Sequence, residues 1–140
     1  MRIDANLQIC KYANRVVYPE LSYKINGILF AVHNELGKFR NGKQYSDAIE
    51  NYLKTFKINY EREKALPPSF AGEVGGRNRI DFLVDGKIIV EVKTKRVIDR
   101  EDYYQVKRYL MSLNKKLAIL VNFRQKRLNL KRILNPSVSE

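Results

Sequence analysis

After Pro19, apolar residues return every three or four positions, at Ile25, Ile28, Leu29, Val32 and Leu36. That stripe predicts a helix, with Pro19 in its first turn and Gly37 closing it. A polar stretch, KFRNGK, follows, and the same spacing resumes at Tyr45, Ala48, Ile49, Tyr52, Leu53 and Phe56, predicting a second helix. The period then changes. Residues Ile58 to Glu63 alternate loosely and predict a short strand ended by Leu66-Pro67-Pro68, with a glycine-rich loop over 72–76. The β-branched runs Arg79 to Val84 and Lys87 to Thr94 flank Asp85-Gly86, a hairpin pattern. Asp99 can cap a helix running to Leu113, with Tyr103, Val106, Tyr109, Leu110 and Leu113 on one side. The unbroken apolar run Leu117 to Phe123 predicts a buried strand, and Leu128 to Leu134 a last one. This order predicts an α/β domain in which a central mixed sheet carries helices on both faces.

A chain of 140 residues with 44% hydrophobic content suits one globular domain. Residues 1–18 are weakly patterned and are expected to form an arm, 19–135 the domain and 136–140 a tail. The lone Cys10 leaves no internal disulfide and fits a reducing compartment. The N-terminus lacks an apolar core of signal-peptide length, and no apolar run approaches a membrane span. A cytoplasmic protein without membrane contact is the expectation.

Charge changes the picture. Twenty-seven Lys and Arg against 15 Asp and Glu give +12, a surplus that favours a polyanionic partner through counterion release at phosphates. A basic protein with no such partner fits the charge equally well.

Chemistry concentrates in RIDFLVDGKIIVEVKTK. Glu91 and Lys93 lie two apart on one strand and share a face. Alone they read as a strand-end ion pair. Asp81 on the adjacent strand adds a second carboxylate, and two carboxylates suit Mg²⁺. Hairpin parity is decisive. A two-residue Asp85-Gly86 turn pairs Val84 with Lys87 and Ile80 with Glu91, turning Asp81 away from Glu91. An odd turn, Val84-Asp85-Gly86, pairs Leu83 with Lys87 and Asp81 with Ile89, placing Asp81 on the face of Glu91 and Lys93. A metal site here therefore predicts an odd turn or a bulge between Asp81 and Glu91.

The pattern D81-x₉-E91-x-K93 across strand, turn and strand, followed by a helix bearing Gln105, resembles the PD-(D/E)xK nuclease superfamily. Within it, YPELSYKINGILFAVHNELG, QYSDAIENYL, DFLVDGKIIVEVKTK, DYYQVKRYL and LAILVNF are similar, in order and spacing, to the small proteins named for a Gly-x-x-Glu-x-x-Tyr motif. The resemblance runs from about Tyr18 to about Leu134. It implies a restriction-endonuclease-like fold and a nuclease dependent on Mg²⁺ or Mn²⁺, taking nucleic acid, DNA ahead of RNA, as substrate. By the same resemblance Asp81, Glu91 and the Val92 carbonyl would hold the metal, Lys93 would orient water and steady the phosphate, and Gln105 would support the site. Tyr45, Tyr109 and Asn122 match further family positions. The chain departs from the naming motif at two places: Gly42 stands where the glutamate belongs and Phe39 where the glycine belongs. Glu35 and Asp47 are the nearest acids in sequence. A homodimer is compatible with the resemblance, and no dimer face is evident.

Lys95, Arg96 and Arg100 follow the site lysine, and Arg124, Lys126 and Arg127 open a basic run that continues to Lys131 and Arg132; the first six are candidate nucleic-acid contacts. His33 beside the apolar stripe reads as structural, and Tyr103, Tyr104 and Tyr109 at helical spacing as packing. Two other functions compete with the nuclease: a nucleic-acid-binding module of the same fold with weak or no cleavage, which Gly42 favours, and an interaction subunit whose basic face meets an acidic protein.

Overall fold

A computed structural model describes residues 16–139. The expected arm therefore falls largely outside the described residues, as does Cys10. In chain order the elements are α1 (Pro19–Leu36), α2 (Gly42–Thr55), β1 (Tyr60–Ala65), β2 (Arg79–Val84), β3 (Ile88–Lys93), α3 (Arg100–Leu113), β4 (Leu117–Asn122) and β5 (Asn129–Leu134). The strands form one sheet in the order β1-β2-β3-β4-β5. Among the described strands only β3 and β4 pair in parallel, and α3 makes the crossover that parallel neighbours require. All six residues of β4 are buried, as its continuous apolar sequence predicts for an interior strand.

Alternation along the strands feeds two cores. Phe82, Val90, Ile119 and Val121 pack under α1 and α2 with Leu29, Val32, Tyr45 and Leu53. Leu83, Ile89, Ala118 and Leu120 pack under α3 with Val106, Tyr109 and Leu110. The sheet thus has helices on both faces. Among the described residues, no helix is long and apolar enough to cross a membrane.

Two local expectations need correction. The first strand begins at Tyr60 rather than Ile58. Lys57 is left-handed (φ 56°), with Lys57 N donating to Lys54 O at 3.1 Å and Ile58 N to Leu53 O at 2.9 Å. This paired closure is a Schellman exit from α2, and it uses the residues that look like a strand start. The hairpin is odd, as the chemistry demanded, but its turn is one residue later than Val84-Asp85-Gly86. Val84 pairs with Ile88 across Asp85-Gly86-Lys87, and Leu83, not Asp81, pairs with Ile89. Asp85 and Gly86 are both left-handed (φ 53° and 64°) and Lys87 N donates to Val84 O at 2.9 Å, a type I′ turn that leaves Lys87 as an extra residue.

Candidate active site

The β2–β3 ladder stops at Phe82↔Val90. Continuing its register puts Asp81 level with Glu91, and there side chains replace the backbone pairing. Asp81 N donates to Glu91 Oε1 at 2.8 Å, and Val92 N donates to Asp81 Oδ2 at 2.7 Å. The hairpin is therefore held open at this end by the two carboxylates themselves. On its other edge β1–β2 pairing passes from Arg62↔Phe82 to Lys64↔Ile80, and Glu63, opposite Asp81, is left-handed at φ 53°. The β3–β4 ladder meanwhile runs unbroken to Lys93↔Asn122, giving the site one rigid wall.

Burial makes the carboxylates uncomfortable as anions. Desolvation first, then the charge of Asp81, pushes Glu91 up to about 8. Desolvation also raises Asp81, and the charge of Glu63 adds to it, against the Val92 amide bond and Lys93. Behind them Tyr109 is buried, and desolvation with the charges of Glu91 and Asp81 pushes its phenol up to about 12.

Lys93 points to α3, where its Nζ donates to Gln105 Oε1 at 2.8 Å and lies 3.7 Å from Asp102 Oδ1. Asp102 is 6% exposed. Its other oxygen accepts from Lys95 Nζ at 2.7 Å and from Asp99 N at 3.0 Å, the latter being half of a capping box with Asp99 at the start of α3. Asn122, fully buried, clamps the segment after Lys93: its Nδ2 donates to Lys95 O at 2.7 Å and its Oδ1 accepts from Lys95 N at 3.0 Å. Asp102 escaped sequence reading because an acid in a first turn looks like a cap; the repeated Asp99-x-x-Asp102 after the lysine was its only signal.

A cleft of about 290 Å³ opens beside the carboxylates, with Asp81, Val92, Glu63 and Arg62 on one side and Gly42, Lys43 and Ser46 of α2 on the other. Gly42 thus stands on the cleft wall, with nothing within 4 Å of where its Cβ would be. Neither Glu35 nor Asp47 replaces the absent acid: Glu35 accepts from the Tyr52 hydroxyl at 3.0 Å, and Asp47 pairs with Arg62 at 2.7 Å.

The basic candidates gather at the same end of the sheet, the C-terminal ends of the parallel pair, where open α/β sheets hold their ligands. Arg124 Nη2 donates to Arg40 O at 3.2 Å, and Gln125 Nε2 to Arg96 O at 3.0 Å, so three loops are tied together. Arg96, Arg100, Lys126 and Arg127 are exposed, whereas Lys95 is held by Asp99 and Asp102. Arg132 is also committed elsewhere, donating to Ser22 Oγ at 2.8 Å and Val17 O at 3.1 Å. His33 is a structural tie, its Nε2 2.8 Å from Gln125 O. Tyr104 is exposed and Tyr109 packs in the α3 core.

Asp81 on the cleft wall, with the buried Glu91 beside it, is a hard-oxygen donor pair that fits a small divalent cation. Among the described residues no group of three or more His, Cys, Asp or Glu side chains converges on one point, so the donor set rests on Asp81 and Glu91 with backbone and water oxygens. Compared with known proteins, residues 19–133 match the model of a family described as the PD-(D/E)XK nuclease superfamily. No curated protein and no solved structure matches the chain.

Proposed function

Because the chain belongs to the PD-(D/E)XK nuclease superfamily, we propose that it is a metal-dependent nuclease whose Asp81, Glu91 and Lys93 hydrolyse a phosphodiester bond. The observation that carries the reading is the open end of the β2–β3 hairpin. There the ladder gives way to Asp81 and Glu91, and Lys93 is steered to the same side by Gln105. Asp81, Glu91 and the Val92 carbonyl are the groups that would hold Mg²⁺ or Mn²⁺. Bound there, the ion lowers the pKa of water and neutralises charge on the phosphoryl group.

The chain's own residues do the rest. Lys93, a compact ammonium held by Gln105, orients the attacking water and stabilises negative charge on the phosphate. Arg96, Arg100, Arg124, Lys126 and Arg127 meet the flanking phosphates, which position the strand without reading its bases. Lys95 serves chiefly to steady Asp102. DNA is placed ahead of RNA as the substrate.

A second reading is specifically favoured by Gly42. The cleft wall lacks a carboxylate at that point, which suits a nucleic-acid-binding module of the same fold that cleaves weakly or not at all. Calorimetric titration with Mn²⁺ and Mg²⁺, beside cleavage of matched DNA and RNA substrates, separates the two. Metal uptake lost in Asp81→Ala, with metal-dependent cleavage by the native chain, supports the nuclease. Tight nucleic-acid binding without metal uptake or cleavage supports the binding module.

A further inference from the structure

Phe39 lies at the tip of the α1–α2 loop with 80% of its surface exposed, an unfavourable place for a large apolar ring. The loop is not loose. The hydroxyl of the fully buried Tyr45 donates to Gly37 O at 2.5 Å and accepts from Arg40 N at 3.2 Å, fastening the chain on both sides of Phe39. Tyr45 in turn stacks on Phe123 with ring centroids 4.2 Å apart. The ring is therefore presented outward by a fixed support.

Its surroundings are cationic. Lys38 Nζ lies 5.2 Å from the ring centroid, and Arg40 and Lys43, one and four positions further along the chain, are both exposed. Arg124 ties this loop to the basic β4–β5 connection. Three residues further on, Gly42 lines the cleft that holds Asp81. Three residues span at most about 11 Å. Successive nucleotides advance by about 3.4 Å along a duplex strand and an unstacked strand reaches further per nucleotide, so a base on Phe39 belongs within a few steps of a phosphate at the cleft.

Resting on the nuclease reading, we propose that Phe39 is a stacking platform for an unpaired base, so that the substrate is single-stranded or carries an unpaired nucleotide beside the scissile bond. An aromatic ring among cations is the combination that holds unpaired nucleotides: the rings stack and the cations take the backbone. A fully paired duplex keeps its base faces covered and gains nothing from the ring. An acidic protein partner would use the cations and leave stacking unused.

The chain has no tryptophan, so Phe39→Trp introduces a single reporter at this position. Binding is measured with EDTA present, against a DNA strand, an RNA strand of the same sequence and a blunt duplex. The single strands should quench the emission of the introduced indole and the duplex should not; whichever sugar quenches at lower concentration names the preferred strand. Phe39→Ala should weaken single-strand binding by about 5- to 150-fold and duplex binding by no more than about twofold. Equal effects on strand and duplex, or none on either, overturn the platform while leaving the nuclease standing if the native chain still binds and cleaves. Failure of the native chain to bind any of the three removes the nuclease reading as well.

Discussion

Asp81 and Glu91 are joined where the hairpin opens, the Asp81 amide donating to Glu91 Oε1 at 2.8 Å, so the Glu91 carboxylate takes the place of a carbonyl of its own strand as partner to the other strand's amide. This bond and that from Val92 N to Asp81 Oδ2 satisfy part-buried amides that the broken ladder would orphan. The same geometry buries two acids side by side, and Glu91 is pushed up to about 8.

That displacement fixes a pH dependence. Glu91 is raised in the folded protein above its ordinary value of 4.5, so its contribution to stability is fully present below that value and is lost as pH rises through about 8. Asp81 is raised in the same sense, and the two titrate as a pair. Melting temperature in EDTA should therefore fall from pH 5 to pH 9 in the native chain more than in Glu91→Gln. Metal affinity should rise over the same interval with proton release, since uptake requires the anion. Parallel melting profiles for the two proteins would refute the burial argument.

Lys93 should be separable from metal binding. Lys93→Ala is expected to lower cleavage by about 10²- to 10⁴-fold while metal uptake stays unchanged, because an ammonium is not a ligand. Lys93→Arg should not restore the rate, as a planar fork cannot take the place of a compact ammonium against Gln105. Asp102→Asn tests positioning. It keeps the shape of the cap but removes the charge facing Lys93 and Lys95, and should cost on the order of 10- to 100-fold in cleavage. Its substrate binding should change far less, and a loss of binding equal to the loss of rate would count against the role.

Periodicity made most of the fold legible. The stripe from Ile25 to Leu36, the unbroken run at Leu117 and the cap at Asp99 correspond to α1, β4 and α3. The parity of the hairpin was legible for a different reason: a site that holds Asp81, Glu91 and Lys93 on one face requires an odd connection or a bulge. The turn itself was not, because Lys87 is polar and exposed and carries no preference for either face. Ile58 and Tyr60 alternate like a strand, yet a left-handed Lys57 decides that the helix exit comes first. What local pattern could not supply is convergence. Arg40 and Arg124 are 84 positions apart and meet through one hydrogen bond, and nothing in either neighbourhood announces it.

The basic connection has its own test. Reversing Arg124, Lys126 and Arg127 to Glu should weaken nucleic-acid binding to all sequences alike. It should also flatten the dependence of log K on log salt by about 0.7 to 0.9 for each phosphate no longer neutralised. Reversal of exposed Lys107 on α3 serves as the control. Affinity that ignores salt and all three reversals would exclude this surface as the nucleic-acid interface.

Gly42 offers the sharpest test of the cleft. It opens α2, whose first turn contains no acid, and the space beyond its Cβ position is free. Gly42→Glu should therefore stabilise the helix by about 1 kcal/mol, from the glycine's lost flexibility and the favourable helix dipole. The new carboxylate would also face Asp81 across the cleft, adding repulsion to a pair already raised by burial. The two effects part company with metal. In EDTA the gain should be partly cancelled; with Mg²⁺ or Mn²⁺ it should appear in full, together with tighter metal binding and faster cleavage. Gly42→Gln separates the contributions, since it improves the helix without adding charge and should gain equally in both conditions. If Gly42→Glu and Gly42→Gln respond identically to metal, the position does not reach the metal site, and Glu63 on the facing wall becomes the acid to replace next.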